Sequence, residues 1–258
     1  MLVAEGDRMS ERRKTARYHS RLHQWARYVA QRLILRPVVK ANVRVSVEGE
    51  RNLAGLEGPF ILVANHSSHL DAPLCVSMLP YRVTKNMATA VAADYFYRTT
   101  WRSALTALFF NSYPVERGKS RGKSAGLSVT LLRQGVPLMI FPEGTRSRTG
   151  EMSEFTPGAA ALARALRIPI VPVALVGAHD AMPVGTFWPK SGRMPVKVLI
   201  GKPLRVRAGE KLPEFNARAQ SRVRAMHTMQ TSYVLVPEDP PGTAGREDDL
   251  PDAQEGIS

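Results

Sequence analysis

Three short apolar runs, Phe60 to Ala64, Val136 to Phe141 and Ile170 to Val176, constrain this chain more than anything else in it. Each is too short to cross a bilayer and too uniformly apolar to keep one face in water. They predict strands buried on both faces, and Val196 to Ile200 reads as another. Val43, Val45 and Val47 alternate with polar residues and predict an edge or half-buried strand. Helix-like stretches lie between them: Pro73 to Met78, Trp101 to Phe109, Lys123 to Arg133 and Gly158 to Leu166. Strands alternating with helices predict an α/β fold, a layered sheet with helices on both faces.

Two flanking segments differ in character. From Tyr18 to Val39 the apolar residues Leu22, Trp25, Val29 and Leu33 recur at helical spacing, with Arg21, Gln24, Arg27, Gln31 and Arg32 on other faces. This basic amphipathic helix either associates with a membrane, its arginines reaching anionic phosphates, or packs on the core with a solvated basic side. From Pro237 onward the chain is Pro-rich, acidic and without periodicity, which predicts a disordered tail. The expected organisation is an N-terminal membrane-association segment (1–41), one catalytic domain (42–236) and an acidic tail (237–258).

The formal net charge is +14. Val236 to Ser258 hold seven acidic residues and one basic one, leaving 35 basic and 15 acidic residues before them, a surplus of +20. That charge suits nucleic acid, an anionic membrane surface or phosphorylated substrates. A nucleic-acid partner is not expected, because no aromatic–basic interleaving or known binding signature is visible. Cys75 is the only cysteine, so a disulfide within the chain is excluded and the thiol reads as a small core residue. With no secretory signal and no long apolar window, a cytoplasmic or peripheral location is expected.

Chemistry-bearing residues follow two of the buried runs. After Phe60 to Ala64 comes NHSSHLD, Asn65 to Asp71, where Asp71 is placed to open a helix with Pro73 in its first turn. A carboxylate there can fix the tautomer of His66 and stabilise its imidazolium. Without a side-chain nucleophile, such a pair suits removal of a proton from a substrate hydroxyl, although alone it equally suits a structural hydrogen bond. After Val136 to Phe141 comes a polar loop with Glu143, Gly144, Thr145 and Arg146. Gly144 permits close backbone approach, and Arg146 offers a planar fork for phosphate oxygens. Arg117, in NSYPVERG, would add a second arm to a phosphate clamp.

Four ordered stretches, NHSSHLD, VER (Val115 to Arg117), FPEGTRS (Phe141 to Ser147) and VPV (Val171 to Val173), resemble the four blocks of the glycerolipid acyltransferases. Their order and spacing are similar to those of 1-acylglycerol-3-phosphate acyltransferases, over roughly Val43 to Leu204. The resemblance implies His66 as general base and Asp71 as its orienting partner. It implies Arg117, Glu143, Gly144, Thr145 and Arg146 around a phosphorylated glycerolipid acceptor, and an acyl-donor pocket shaped at Val171 and Pro172. It further implies acyl-CoA or acyl-carrier protein as co-substrate, no cofactor or metal, direct transfer, and a peripheral place on the cytoplasmic face of the membrane. The chain departs from the pattern in lacking the usual glycine of the second block and in reading AADY, Ala92 to Tyr95, where many relatives carry lysines. The SHLD and RSRTG runs also resemble glycerol-3-phosphate acyltransferases, which leaves the acceptor open.

Three other patterns fail on context. GKSRG, Gly118 to Gly122, has the spacing of a nucleophile elbow but no apolar strand feeding it. The same stretch lacks the first glycine of a phosphate-binding loop. His66, His69 and Asp71 lack the spacing and the further ligands of a zinc site.

Overall fold

The computed structural model describes residues 15–92, 100–115 and 121–234. Seven strands form one sheet: β1 (Arg44–Glu48), β2 (Ile61–Ala64), β3 (Ala88–Ala92), β4 (Tyr113–Val115), β5 (Leu138–Ile140), β6 (Ile170–Val176) and β7 (Pro195–Ile200). Their spatial order is β1-β7-β6-β2-β5-β3-β4. All neighbours are parallel except β6 and β7, which run antiparallel. The four apolar runs are strands, and three of them, β2, β5 and β6, lie side by side at the centre, where burial on both faces demands uniform apolarity. β1 is an edge strand of alternating exposure, as its valine pattern requires. β3 and β4 escape the run-based reading because β3 is mostly alanine and β4 is only three residues with a proline at its centre. Pro114, which has no N–H for a ladder, is tolerated in β4 because that strand is the other edge.

Strand alternation divides the core in two. Leu62, Ala64, Met139, Val171, Val173, Val196 and Val198 face one layer, which includes α3 (Asp71–Met78) and the N-terminal helices. Ile61, Val63, Leu138, Ile170, Ala174 and Leu199 face the other, packed against α6 (Arg121–Arg133), α7 (Gly158–Leu166) and α9 (Leu212–Val234). The sequence reading omits α9, although Phe215, Ala219, Val223 and Met226 recur at helical spacing and are buried or pack on this layer. Cys75 is fully buried in the first layer, and burial pushes its thiol pKa up.

The N-terminal segment is helical: α1 (Arg21–Tyr28), a π-helical stretch (Val29–Leu35) and α2 (Arg36–Asn42). Its periodicity agrees with the sequence, and its polar side is turned toward the protein. Leu22, Trp25, Leu33, Ile34 and Val38 are exposed, whereas Arg27 and Gln31 are buried at 3% and 2% exposure. The polar side turns inward because the underlying layer presents carbonyl oxygens at helix C-termini, which have no intrahelical partner. Arg32 donates to the carbonyls of Ser77 (2.7 Å) and Leu79 (2.6 Å) at the end of α3. Gln31 donates to Phe109 O (2.7 Å) near the end of α5 (Thr100–Phe110), and Arg27 to Lys85 O (3.4 Å) just past α4 (Tyr81–Thr84). The three negative helix ends favour cations as well. Burial lowers the pKa of Arg27 and Arg32. An ordinary core-packed apolar stripe does not describe this segment: Arg27 and Arg32 bond to the protein, and the apolar stripe faces outward. Among the described residues, no helix is long and apolar enough to cross a membrane.

This orientation makes an unusual pair of stability predictions. Arg32→Met should destabilise the fold by about 1.5–3 kcal/mol, since a charged donor to two carbonyls is lost. Leu33→Gln, on the solvent side, should shift stability by no more than about 0.5 kcal/mol. Urea unfolding midpoints of the two variants test both.

Candidate active site

Chain direction brings the polar loops together. The strands β2, β5 and β6 end on one edge of the sheet, and there β2 gives way to Asn65–Leu70, β5 to Phe141–Ser147 and β6 to Gly177. Asn65 extends the pairing of β2 with its side chain. Its amide donates to Leu175 O (2.9 Å) and its carbonyl accepts from Leu175 N (2.7 Å), so the loop leaves the sheet at a fixed angle.

Asp71, the first residue of α3, has no exposure, yet its Oδ2 collects three donors. His66 Nδ1 lies at 2.8 Å, Ser67 N at 2.7 Å and Ser68 N at 2.8 Å. A carboxylate can only accept, so Nδ1 is the donor, and in the neutral ring Nε2 is the acceptor. The His66 side chain is 22% exposed, which leaves the ring open to a reactant on one side. Its other side is stacked on Phe141, with ring centroids 4.1 Å apart and planes at 19°. The ring is thus fixed in tautomer by Asp71 and in plane by Phe141.

The loop after β5 grips the backbone of the same residue. Glu143 Oε1 accepts from His66 N (2.6 Å), and Ser147 N donates to His66 O (2.8 Å). Glu143 Oε2 accepts from Ser153 N (2.8 Å). Both oxygens of Glu143 are therefore engaged with backbone N–H groups and the residue is almost buried, so it braces the two loops. Burial raises its pKa, partly offset by the Ser153 and His66 N–H donors. Gly144 adopts φ +74° in the turn that follows, a conformation costly for residues with a Cβ, and Gly144 and Thr145 are exposed beside the site.

Arg146 packs its guanidinium against the ring of His69. Burial, then the nearby Arg146 and His66, lower the His69 pKa, so a neutral ring nitrogen can accept from the arginine. The cation of the second loop thereby stands over the first loop, close to His66. Arg117 and most of GKSRG lie outside the described residues. Val171 and Pro172, expected at the donor pocket, are buried within β6 beside Leu62 and Val63. Among the described residues, no three His, Cys, Asp or Glu side chains gather as metal ligands.

The structure adds elements that the motifs do not announce. A cavity of about 530 Å³ opens beside Ser67, lined also by Met152, His179, Asp180, Arg224 and His227. His179 donates from Nδ1 to Ser67 O (3.4 Å), assigning that tautomer, and its ring meets Gly150. Arg224 and His227 come from α9, so only the helix that the sequence reading omits could have revealed this wall. Phe141, Ser147 and Asn65 are visible in the motifs, but their bonds to His66 and Leu175 are not.

Removing the brace should loosen this arrangement measurably. Glu143→Ala leaves the amides of His66 and Ser153 without their acceptor, at about 1–3 kcal/mol each if both stay buried. Amide hydrogen exchange at these two residues should accelerate, while exchange in β6 stays slow.

Several known proteins are similar to this chain. The acyltransferase family model matches residues 44–176. A chloroplastic 1-acyl-sn-glycerol-3-phosphate acyltransferase of Brassica napus is 26% identical over 191 residues, 73% of this chain and 52% of that protein. The 1-acyl-sn-glycerol-3-phosphate acyltransferase of Pseudomonas aeruginosa is 28% identical over 220 residues, 81% of this chain and 77% of that protein. The chain thus spans about half the length of the Brassica relative, and 48% of the similar Arabidopsis thaliana protein. The crystal structure of the 1-acyl-sn-glycerophosphate acyltransferase PlsC from Thermotoga maritima shares the fold, with a TM-score of 0.60 and 22% identity, covering 76% of this chain and 78% of that one.

Proposed function

The chain belongs to the acyltransferase family, and from that membership we propose that it transfers a fatty acyl group from a thioester donor to the free hydroxyl of 1-acyl-sn-glycerol 3-phosphate, forming phosphatidic acid. The observation that carries the reading is the His66–Asp71 pair, with Nδ1 bonded to the buried carboxylate and the ring open on one side. The donor is acyl-CoA or acyl-carrier protein. The relatives' names supply the acceptor, and a phosphorylated acceptor agrees with Arg146 standing beside the base.

The steps follow from the geometry. The acceptor hydroxyl attacks the thioester carbonyl while its proton passes to His66 Nε2. Asp71 stabilises the imidazolium without taking the proton. Collapse of the tetrahedral intermediate breaks the carbon–sulfur bond, and the proton returns to the departing thiolate, leaving an ester and a free thiol. Arg146 pairs with the acceptor's phosphate, and exposed Gly144 and Thr145 let the headgroup come close. We assign the donor's arm to the cavity beside Ser67, one residue from the base, and not to the buried Val171 and Pro172. The enzyme works peripherally on the cytoplasmic face of the membrane, with the outward stripe of α1 and α2 lying against the lipid.

Turnover of a labelled acyl-CoA by the purified full chain tests the reading. Lysophosphatidate should be acylated in preference to glycerol 3-phosphate, and an equal or reversed preference would reassign the acceptor. His66→Ala should lower kcat by ~10²–10⁴-fold without unfolding the protein. Near-normal turnover by the folded variant would sink the mechanism. Arg146→Ala should raise the acceptor KM more than the donor KM, since a charge-assisted contact to phosphate is worth roughly 1.5–3 kcal/mol. Equal effects on both substrates would remove Arg146 from the acceptor site.

A further inference from the structure

We propose that the segment between α8 (Ala178–Ala181) and β7 is a second lipid-contacting element, inserting Phe187 and Trp188 into an anionic phospholipid surface next to the catalytic edge. Phe187 is 94% exposed and Trp188 64%, adjacent in sequence and covered by nothing among the described residues. Isolated exposed apolar residues are ordinary, but a neighbouring Phe and Trp at a loop tip form a large apolar surface in one place.

The tip is built, not loose. Thr186 N and Oγ1 both donate to Pro183 O, at 3.2 and 2.8 Å, closing a turn directly before the aromatic pair. Lys190 N donates to Ala181 O (2.8 Å), closing the base of the loop. The loop's start is tied to the active site, where Ser68 Oγ donates to Met182 O (2.7 Å). Its end is tied to the N-terminal helix, where Arg193 donates to Lys40 O (2.8 Å), two residues from the exposed Val38. The side chains are thus presented to solvent by a braced turn, with hydrophobic gain available only from something outside the described residues.

Charge selects the occupant. From Met182 to Met194 the loop carries Lys190 and Arg193 and no carboxylate. Aromatic side chains flanked by cations match the boundary between acyl chains and anionic headgroups, where the ring enters the apolar layer and the cation pairs with phosphate. Sheet direction supplies the position. Because β7 runs antiparallel to β6, it begins on the edge where β2, β5 and β6 end. The aromatic loop therefore emerges from the same edge as His66. A lipid surface held at that tip lies where an acceptor leaving the bilayer reaches the base. This inference rests on the reading of a lipid acceptor, but its test has a readout that does not depend on turnover.

The full chain with Trp25→Phe and Trp101→Phe keeps Trp188 as its only tryptophan. Mixed with vesicles of phosphatidylcholine and phosphatidylglycerol, its emission should shift to shorter wavelength and be quenched by lipids brominated on their acyl chains. Phe187→Ser with Trp188→Ser should weaken binding to those vesicles by roughly tenfold or more, while Phe187→Leu with Trp188→Leu should retain most of it. Because both positions are exposed, thermal midpoints should stay unchanged. Unshifted Trp188 emission in the presence of vesicles that capture the protein would overturn the proposal, as would unaltered vesicle affinity of the double serine variant. Turnover of a short-chain, monomerically dissolved lysophosphatidate separates the two readings. If the double serine variant keeps that turnover while losing turnover on vesicles, the surface role stands. If the wild-type protein acylates neither, the acceptor reading fails, and the Trp188 spectrum still decides the lipid contact.

Discussion

A carboxylate removed from water must be repaid in hydrogen bonds or it does not stay ionised. Asp71 meets that demand with a single oxygen, on which the imidazole of His66 and the amides of Ser67 and Ser68 converge. Much of the local architecture follows from this arrangement. The two amides wrap the loop around the first turn of α3, where the helix dipole also favours a negative charge. The imidazole donates to it from Nδ1, which in the neutral ring fixes the tautomer and makes Nε2 the acceptor. Glu143 and Ser147 then hold the backbone of His66 from the neighbouring loop, so the site is over-determined by bonds to one residue.

The same accounting explains the N-terminal helices. Helices ending on the first layer leave carbonyl oxygens that need donors. Arg32, Gln31 and Arg27 supply them, which turns the polar side of the segment inward and leaves Leu22, Trp25 and Leu33 outside. An apolar stripe abandoned to solvent is costly for a protein that never leaves water, and is consistent with one that rests on lipid. The side of the helix that stabilises the fold is thus opposite the side that carries the exposed apolar stripe.

Sheet direction ties these parts to the chemistry. One antiparallel pairing, β6 with β7, places the start of β7, and with it the start of β1, on the edge where the catalytic loops emerge. The end of α2, the aromatic loop and the His66–Asp71 pair consequently share an edge of the molecule.

The sequence by itself determined the central strands, because burial on both faces of a parallel sheet forces continuous apolar runs that need no partner to be recognised. It also made the His66–Asp71 bond legible, since the two are near neighbours on a strand-to-helix loop and local spacing suffices to pair them. The family followed from the same blocks, and the match over residues 44–176 agrees. The rest was decided by contacts between residues far apart in the chain, for which periodicity carries no sign. A helical stripe shows that one face is apolar but not whether that face meets a core or a solvent. The deciding carbonyls of Ser77, Leu79 and Phe109 lie on other elements. That Glu143 accepts from the amides of His66 and Ser153 is visible only once the fold brings them to it. That Val171 and Pro172 are enclosed by the strands on either side is likewise a fact of the fold. Phe187 and Trp188 belong to no sequence pattern, and only the tertiary structure, by filling the core without them, leaves them outside.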